Sequence, residues 1–210
     1  MIYCMADLHG DLVRFHRMLK QISFTPADQL YILGDVIDRG PHGVALLEEI
    51  MAAPNMTLLL GNHEWMCLGT FLKKTIRGAG EHWRLRCGGE VTYQALMSRP
   101  PQVRAAILRF LSALPDHLEL SVSGIQYHLV HGMPAENTYD RVWGRPTLRT
   151  PRPFPDKTVL VGHTPTSELG LPFLIWHGNG LLDLDCGCGE DPERGHLGCL
   201  RLEDGQEFYT

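Results

Sequence analysis

No run of this sequence is apolar for long enough to cross a bilayer, which takes about 20 consecutive residues. The apolar start Met1-Ile2-Tyr3-Cys4-Met5-Ala6 has no basic region and reaches Asp7 at once, so it predicts a buried strand rather than a signal peptide or anchor. Blocks of like charge are also missing. Lys and Arg number 19 against 24 Asp and Glu, for a net charge of −5. Bulk electrostatics therefore predict neither nucleic acid nor an anionic membrane as partner, and any phosphate-bearing ligand has to be captured locally. The cysteines at 4, 67, 87, 186, 188 and 199 form no paired Cys-x-x-Cys knuckles, which predicts reduced thiols in the cytoplasm. Cys186-Gly187-Cys188 is the one suggestive pair, and buried or loop thiols are the expectation for it. Internal repeats and low-complexity tails are absent, and nothing predicts an oligomer, so a monomer is the default.

What is present is an ordinary globular balance, 44% hydrophobic and 20% charged over 210 residues, enough for one domain spanning 1–210. Its first part alternates strand and helix. Met1 to Ala6, Leu30 to Leu33 and Met56 to Leu60 read as strands, with helices over Asp11 to Ile22 and Gly43 to Ala53. The middle reads as a helical cap insertion over about 65–114, with helices at Trp65 to Ile76, Val91 to Met97 and Val103 to Leu114. The Gly-rich stretch from Gly78 to Gly89 separates the first two. From Leu118 the pattern is strands and turns: Leu118 to Val122, Gln126 to Val130, Val159 to Val161, Phe173 to Trp176, Leu181 to Leu184 and Leu197 to Leu202, with a closing hairpin at Glu203-Asp204-Gly205. Arg141 to Asp156 reads as an ordered surface loop. The predicted class is α/β (α+β), a two-sheet β-sandwich flanked by helices, with the second half supplying the second sheet.

Five of these strand-like runs end on ligand-type polar residues: Asp7-Leu8-His9-Gly10, Gly34-Asp35-Val36-Ile37-Asp38-Arg39-Gly40, Gly61-Asn62-His63-Glu64, His131-Gly132 and Gly162-His163-Thr164. A lone histidine after an apolar run is ordinarily a hydrogen-bonded core group. Five strand ends, each with a ligand-type residue beside glycine or a turn, are hard to explain by packing, and strand carboxyl ends are where α/β proteins bind ligands. Carboxylate, imidazole and carboxamide without thiolate suit two divalent ions such as Mn²⁺, Fe or Zn²⁺.

These motifs resemble those of the PPP-type serine/threonine protein phosphatases within the calcineurin-like metallophosphoesterases. Gly88-Gly89 after Trp83, and Trp143-Gly144-Arg145, look most like the compact bacterial and phage branch. The resemblance implies the calcineurin-like fold and a dinuclear centre, with Mn²⁺ foremost. Asp7, His9 and Asp35 would hold the first ion and Asn62, His131 and His163 the second, with Asp35 bridging. It also implies direct in-line attack by a hydroxide shared between the ions, with His63 as general acid held by Asp38. Arg39 and Arg145 would grip the phosphoryl oxygens, although Arg141, Arg149 and Arg152 share the loop of Arg145. Asp185 would support a ligand histidine, and Trp65 and Trp83 would pack under the cap or border the mouth. The sequence departs from the family at Ala6, Cys87 and Met133. The expected substrate is a phosphoprotein or phosphopeptide at Ser/Thr, with Tyr possible. The alternatives are a dinucleoside polyphosphate or other nucleotide phosphoanhydride hydrolase, and a non-catalytic scaffold, which predicts decay at ligand positions that are all present here.

Overall fold

The computed structural model describes residues 1–72, 79–191 and 193–210. Three strands, β1 (Ile2–Met5), β2 (Gln29–Ile32) and β3 (Met56–Leu58), run parallel, with Cys4 opposite Tyr31 and Ile32 opposite Leu58. Helices α1 (Leu12–Gln21) and α2 (Gly43–Ala52) are the crossovers. Asp11 caps α1 by accepting the Arg14 N–H at 2.9 Å. Phe15 and Met18 are the fully buried side of α1, and α2 buries Val44, Leu46, Leu47 and Ile50.

Among the described residues four helices follow before the next strand: α3 (Asn62–Phe71), α4 (Ala79–Arg86), α5 (Glu90–Ser98) and α6 (Pro101–Ser112). Helix α3 starts three residues before the expected Trp65, because Glu64 turns back to accept the Gly61 N–H. The end of that expected helix, residues 73–76, lies outside the described residues. The Gly-rich separator is itself mostly helix. Glu81 in the first turn of α4 and Arg84 and Arg86 in its last complement the dipole, and fully buried Trp83 anchors it.

The second sheet has the order β4-β5-β6-β8-β7. Its strands are β4 (His117–Val122), β5 (Ile125–Val130), β6 (Lys157–Val161), β7 (Trp176–His177) and β8 (Leu181–Asp183). Ser123 and Gly124 turn β4 into β5 with φ of 51° and 83°, the left-handed pair a tight hairpin needs. Strand β7 is shorter than Phe173 to Trp176 and begins later, because the Leu174 N–H closes a turn onto the Pro172 carbonyl. The expected loop from Arg141 opens inside a helix, α7 (Thr138–Trp143), which Asn137 caps by accepting the Asp140 N–H at 2.9 Å.

The closing hairpin, β9 (Gly198–Arg201) with β10 (Glu207–Tyr209), forms as expected but joins the other sheet. β9 pairs antiparallel with β1, Tyr3 opposite Arg201 and Met5 opposite Cys199, so the first sheet reads β10-β9-β1-β2-β3. The alternation along β1 divides the core in two. Cys4 enters the layer between the sheets with Leu33, Leu59, Leu129, Leu160 and Leu200, whereas Tyr3 and Met5 face the helix side with Phe15, Leu47 and Ile107. Among the described residues no helix is long and apolar enough to cross a membrane.

Candidate metal centre

Backbone geometry assembles the centre. Asp7, His9, Asp35, Asp38, Arg39 and His163 all have positive φ, between 42° and 72°. That region costs a side-chain-bearing residue energy and is typically held where function demands it. Here it ends the strands abruptly, so Asp7 and His9 do not reach the site through the alternation of a continuing strand. Two glycines permit the approach. A methyl on Gly61 would overlap the Asp35 carboxylate, and one on Gly162 would overlap that of Asp7.

Among the described residues two sets of donor atoms result, each within 4.8 Å: His9, Asp35 and His63, and Asp35, His131 and His163. Asp35 belongs to both, its Oδ2 lying 3.3 Å from His131 Nε2 and 3.8 Å from the Nε2 atoms of His9 and His63. Asn62 Oδ1 adds an oxygen 2.9 Å from His131 Nε2. Asp7 lines the same cavity, with its carboxylate accepting the His163 N–H at 3.1 Å.

The second ring nitrogens decide how these groups can be used. His9 Nδ1 lies 3.0 Å from the Ile37 carbonyl and His131 Nδ1 lies 2.7 Å from that of Leu33. With Nδ1 as the donor, Nε2 carries the lone pair, as a ligating imidazole requires. At His131 that lone pair meets oxygens of Asn62 and Asp35, three electron donors converging where a cation, or a proton on the ring, is needed. His163 Nε2 is buried without a hydrogen-bond partner. Burial and the neighbouring His131 push the His163 pKa down to about 3, and burial and His63 push that of His9 well down, so both rings are neutral and ready to ligate. Burial opposes the charge on Asp35, yet His131 and His63 hold its carboxyl well below the usual range. The donor set fits divalent ions, and these residues would hold them.

His63 differs in its second partner. Its Nδ1 lies 2.6 Å from Asp38 Oδ2, and Trp83 Nε1 donates to that same oxygen at 2.6 Å. Burial works against the charged ring, but Asp35 and the Asp38 hydrogen bond hold the His63 pKa above its ordinary value. Thr92 Oγ1 accepts the Asp38 N–H, so α4 and α5 both brace this aspartate. Trp83 lies beneath the site, while Trp65 is about one-third exposed.

Arg39 and Arg145 line one cavity of about 440 Å³ together with Asp7, His9, Asp35, Asn62, His63 and His163. Of the other arginines in the loop, Arg141 pairs with Asp116 and Arg152 donates to the Phe154 carbonyl, and neither they nor Arg149 line the cavity. Asp185 does line it, but its carboxylate accepts the Gly187 N–H rather than supporting a histidine ring. Three residues had no signal in the sequence: Glu168 and Glu190, which pair with the two arginines, and Arg86 on the wall. Cys87, also on the wall, and Trp143, edge-on to His163 at 5.7 Å, stood out only within their motifs. Glu64 was visible only as a motif letter. It accepts the N–H groups of Asp35, Val36 and Gly61.

Residues 1–192 match the model of the calcineurin-like phosphoesterase family. Serine/threonine-protein phosphatase 2 of Escherichia coli strain K12 is 33% identical over 131 residues, which are 62% of this chain and 57% of that protein. A symmetrical bis(5'-nucleosyl)-tetraphosphatase of Acidovorax ebreus is 43% identical over 65 residues, 30% of this chain and 23% of that one. The aligned part is thus less than two thirds of either relative. A solved structure described as a candidate diadenosine tetraphosphatase superposes with a TM-score of 0.66 at 18% identity, covering 100% of this chain and 92% of that chain. At that identity the likeness concerns the fold.

Proposed function

The chain belongs to the calcineurin-like phosphoesterase family, and from that premise we propose that it is a metal-dependent phosphomonoesterase acting on phosphorylated protein or peptide. The observation that carries this reading is that His63, whose Nδ1 lies 2.6 Å from the buried Asp38 carboxylate, lines one cavity with Asp7, His9, Asp35, Asn62, His163 and two arginines. His9, Asp35, Asn62, His131 and His163, with Asp7 beside them, would hold two divalent ions, Mn²⁺ foremost. When bound, such ions supply Lewis acidity and a water acidic enough to act as a nucleophile near neutral pH.

The chain's own groups do the rest. The guanidinium groups of Arg39 and Arg145 match phosphoryl oxygens in bidentate fashion and hold the substrate in register. His63, whose charged form Asp35 and the Asp38 hydrogen bond favour, gives its Nε2 proton to the departing alkoxide or phenolate while Asp38 on Nδ1 keeps the ring oriented. Over alignments of 131 and 132 residues, identity is higher with the protein phosphatase than with a tetraphosphatase, 33% against 27%, which favours a phosphoprotein. The tetraphosphatase similarity supports the second reading, hydrolysis of a dinucleoside polyphosphate.

Turnover of phosphopeptides and of diadenosine tetraphosphate, compared under one condition with added Mn²⁺ and again with chelator, tests both. Metal-dependent release of phosphate from the peptides is expected. Cleavage of the nucleotide alone would replace the first reading by the second, and no turnover with any divalent ion would remove both.

A further inference from the structure

Both phosphate-gripping arginines are already engaged by glutamates. Arg39 Nη1 contacts Glu190 Oε2, and Arg145 Nη1 donates to Glu168 Oε2 at 2.6 Å. The two glutamates come from unrelated segments. Glu168 sits in the 3-10 turn Thr166–Leu169 that follows β6, and Glu190 in the turn after β8 that its N–H closes onto the Gly187 carbonyl. All four side chains line the same cavity, and the glutamates are 52% and 46% exposed.

This arrangement has two consequences for a bound phosphate. A guanidinium carries five N–H donors in a planar fork, so a phosphoryl group either shares the fork with the glutamate or displaces it. In both cases two carboxylates remain on the cavity wall beside the substrate, balancing the charges of Arg39 and Arg145, which together with Arg86 on the same wall would otherwise draw in anions of any kind. A second phosphate or an acidic neighbour of the phosphorylated residue then meets like charge, and a cationic neighbour meets opposite charge. Discrimination by repulsion of the wrong ligand is a general route to specificity.

We propose that Glu168 and Glu190 are specificity-determining residues that select phosphorylated peptides with Lys or Arg beside the phosphorylated residue and reject polyanionic phosphoesters. The proposal rests on the phosphopeptide reading above and adds the charge class of the substrate.

The test compares kcat/KM for one phosphopeptide flanked by arginines and the same peptide flanked by glutamates, in the Mn²⁺-loaded protein and in E168Q, E190Q and the double variant, with an aryl phosphate as reference. The wild type should favour the basic peptide by about tenfold or more, and added salt should narrow that preference, because exposed charges are screened over about 10 Å at 0.1 M ionic strength. The double variant should bring the ratio down to about twofold or less through KM, and its KM for the aryl phosphate should fall as the arginines are released. Glutamine keeps the size of the side chain, and the aryl phosphate kcat reports whether each variant is folded and loaded. A basic-to-acidic ratio near one in the wild type, or one unchanged in the double variant, overturns this proposal alone. No turnover of any phosphopeptide by a wild type that cleaves the aryl phosphate overturns the phosphopeptide reading and this proposal together.

Discussion

Asp38 carries more of the candidate site than its single carboxylate suggests. One of its oxygens takes both the His63 ring and the Trp83 indole N–H, each at 2.6 Å, so the orientation of the acid depends on a tryptophan 45 residues away along the chain. If His63 protonates the leaving group, H63N should lower kcat on alkyl phosphates by about 10² or more and much less on aryl esters with good leaving groups. Equal losses would assign His63 to metal binding, a use its place beside His9 and Asp35 also allows. W83F keeps the ring in the core and removes the donor. It should cost about 1–3 kcal/mol in denaturant unfolding and lower kcat with little change in KM. At this scale the sequence is informative where chemistry restricts residue type, at Asp7, His9, Asp35, Asn62, His131 and His163. It is silent on Glu168 and Glu190 and on the bond from Trp83 to Asp38, because these partners come from distant segments in no fixed spacing.

Elements matter here mainly through their ends. Glu64, in the first turn of α3, reaches under the loop after β2 and accepts the N–H groups of Asp35 and Val36 at 2.9 Å and of Gly61 at 3.1 Å. It locks the left-handed turn at Asp35 to the start of the helix that carries Asn62 and His63. In E64Q one acceptor becomes an amide donor facing backbone donors in a buried place, where each orphaned group costs about 1–3 kcal/mol. Unfolding midpoints should fall accordingly, and calorimetric Mn²⁺ affinity should fall with them, since Asp35 and Asn62 would no longer be held together. Unchanged metal affinity would show that the turn is set by its neighbours instead. Strand and helix identities were legible from hydrophobic period across most of the chain. The partner of the final hairpin was not, because an apolar run such as Leu197 to Leu202 fits an edge of either sheet and only tertiary packing decides.

For the whole molecule, burying so many acids together makes stability depend on pH. Burial, with Asp185 and Asp35 nearby, raises the Asp7 carboxyl well above its usual range, and burial lifts that of Asp185 to about 7. In both cases the folded chain keeps a proton that the unfolded chain gives up near pH 4, so stability falls as pH rises from about 4 towards 7. Asp35, held low, acts in the opposite sense, and its contribution is lost only as pH falls below about 4 through its folded value. Metal-stripped protein should therefore melt higher near pH 5.5 than near pH 8 by calorimetry. Added Mn²⁺ should raise the melting temperature more at the higher pH, where the deprotonated carboxyls bind it and mass action favours the folded state. A gain no larger at pH 8 would place the carboxyls of Asp7 and Asp185 outside the metal's influence.

The antiparallel neighbour of β1 is β9, with Cys4 opposite Leu200. The strand that delivers Asp7 thus receives one sheet partner early, in β2, and the other only after every strand of the second sheet has been made. A nascent chain still short of Gly198 would leave one edge of β1 bare beside a partly built centre, so the order of synthesis makes a competent site a late event, completed by residues that take no part in its chemistry.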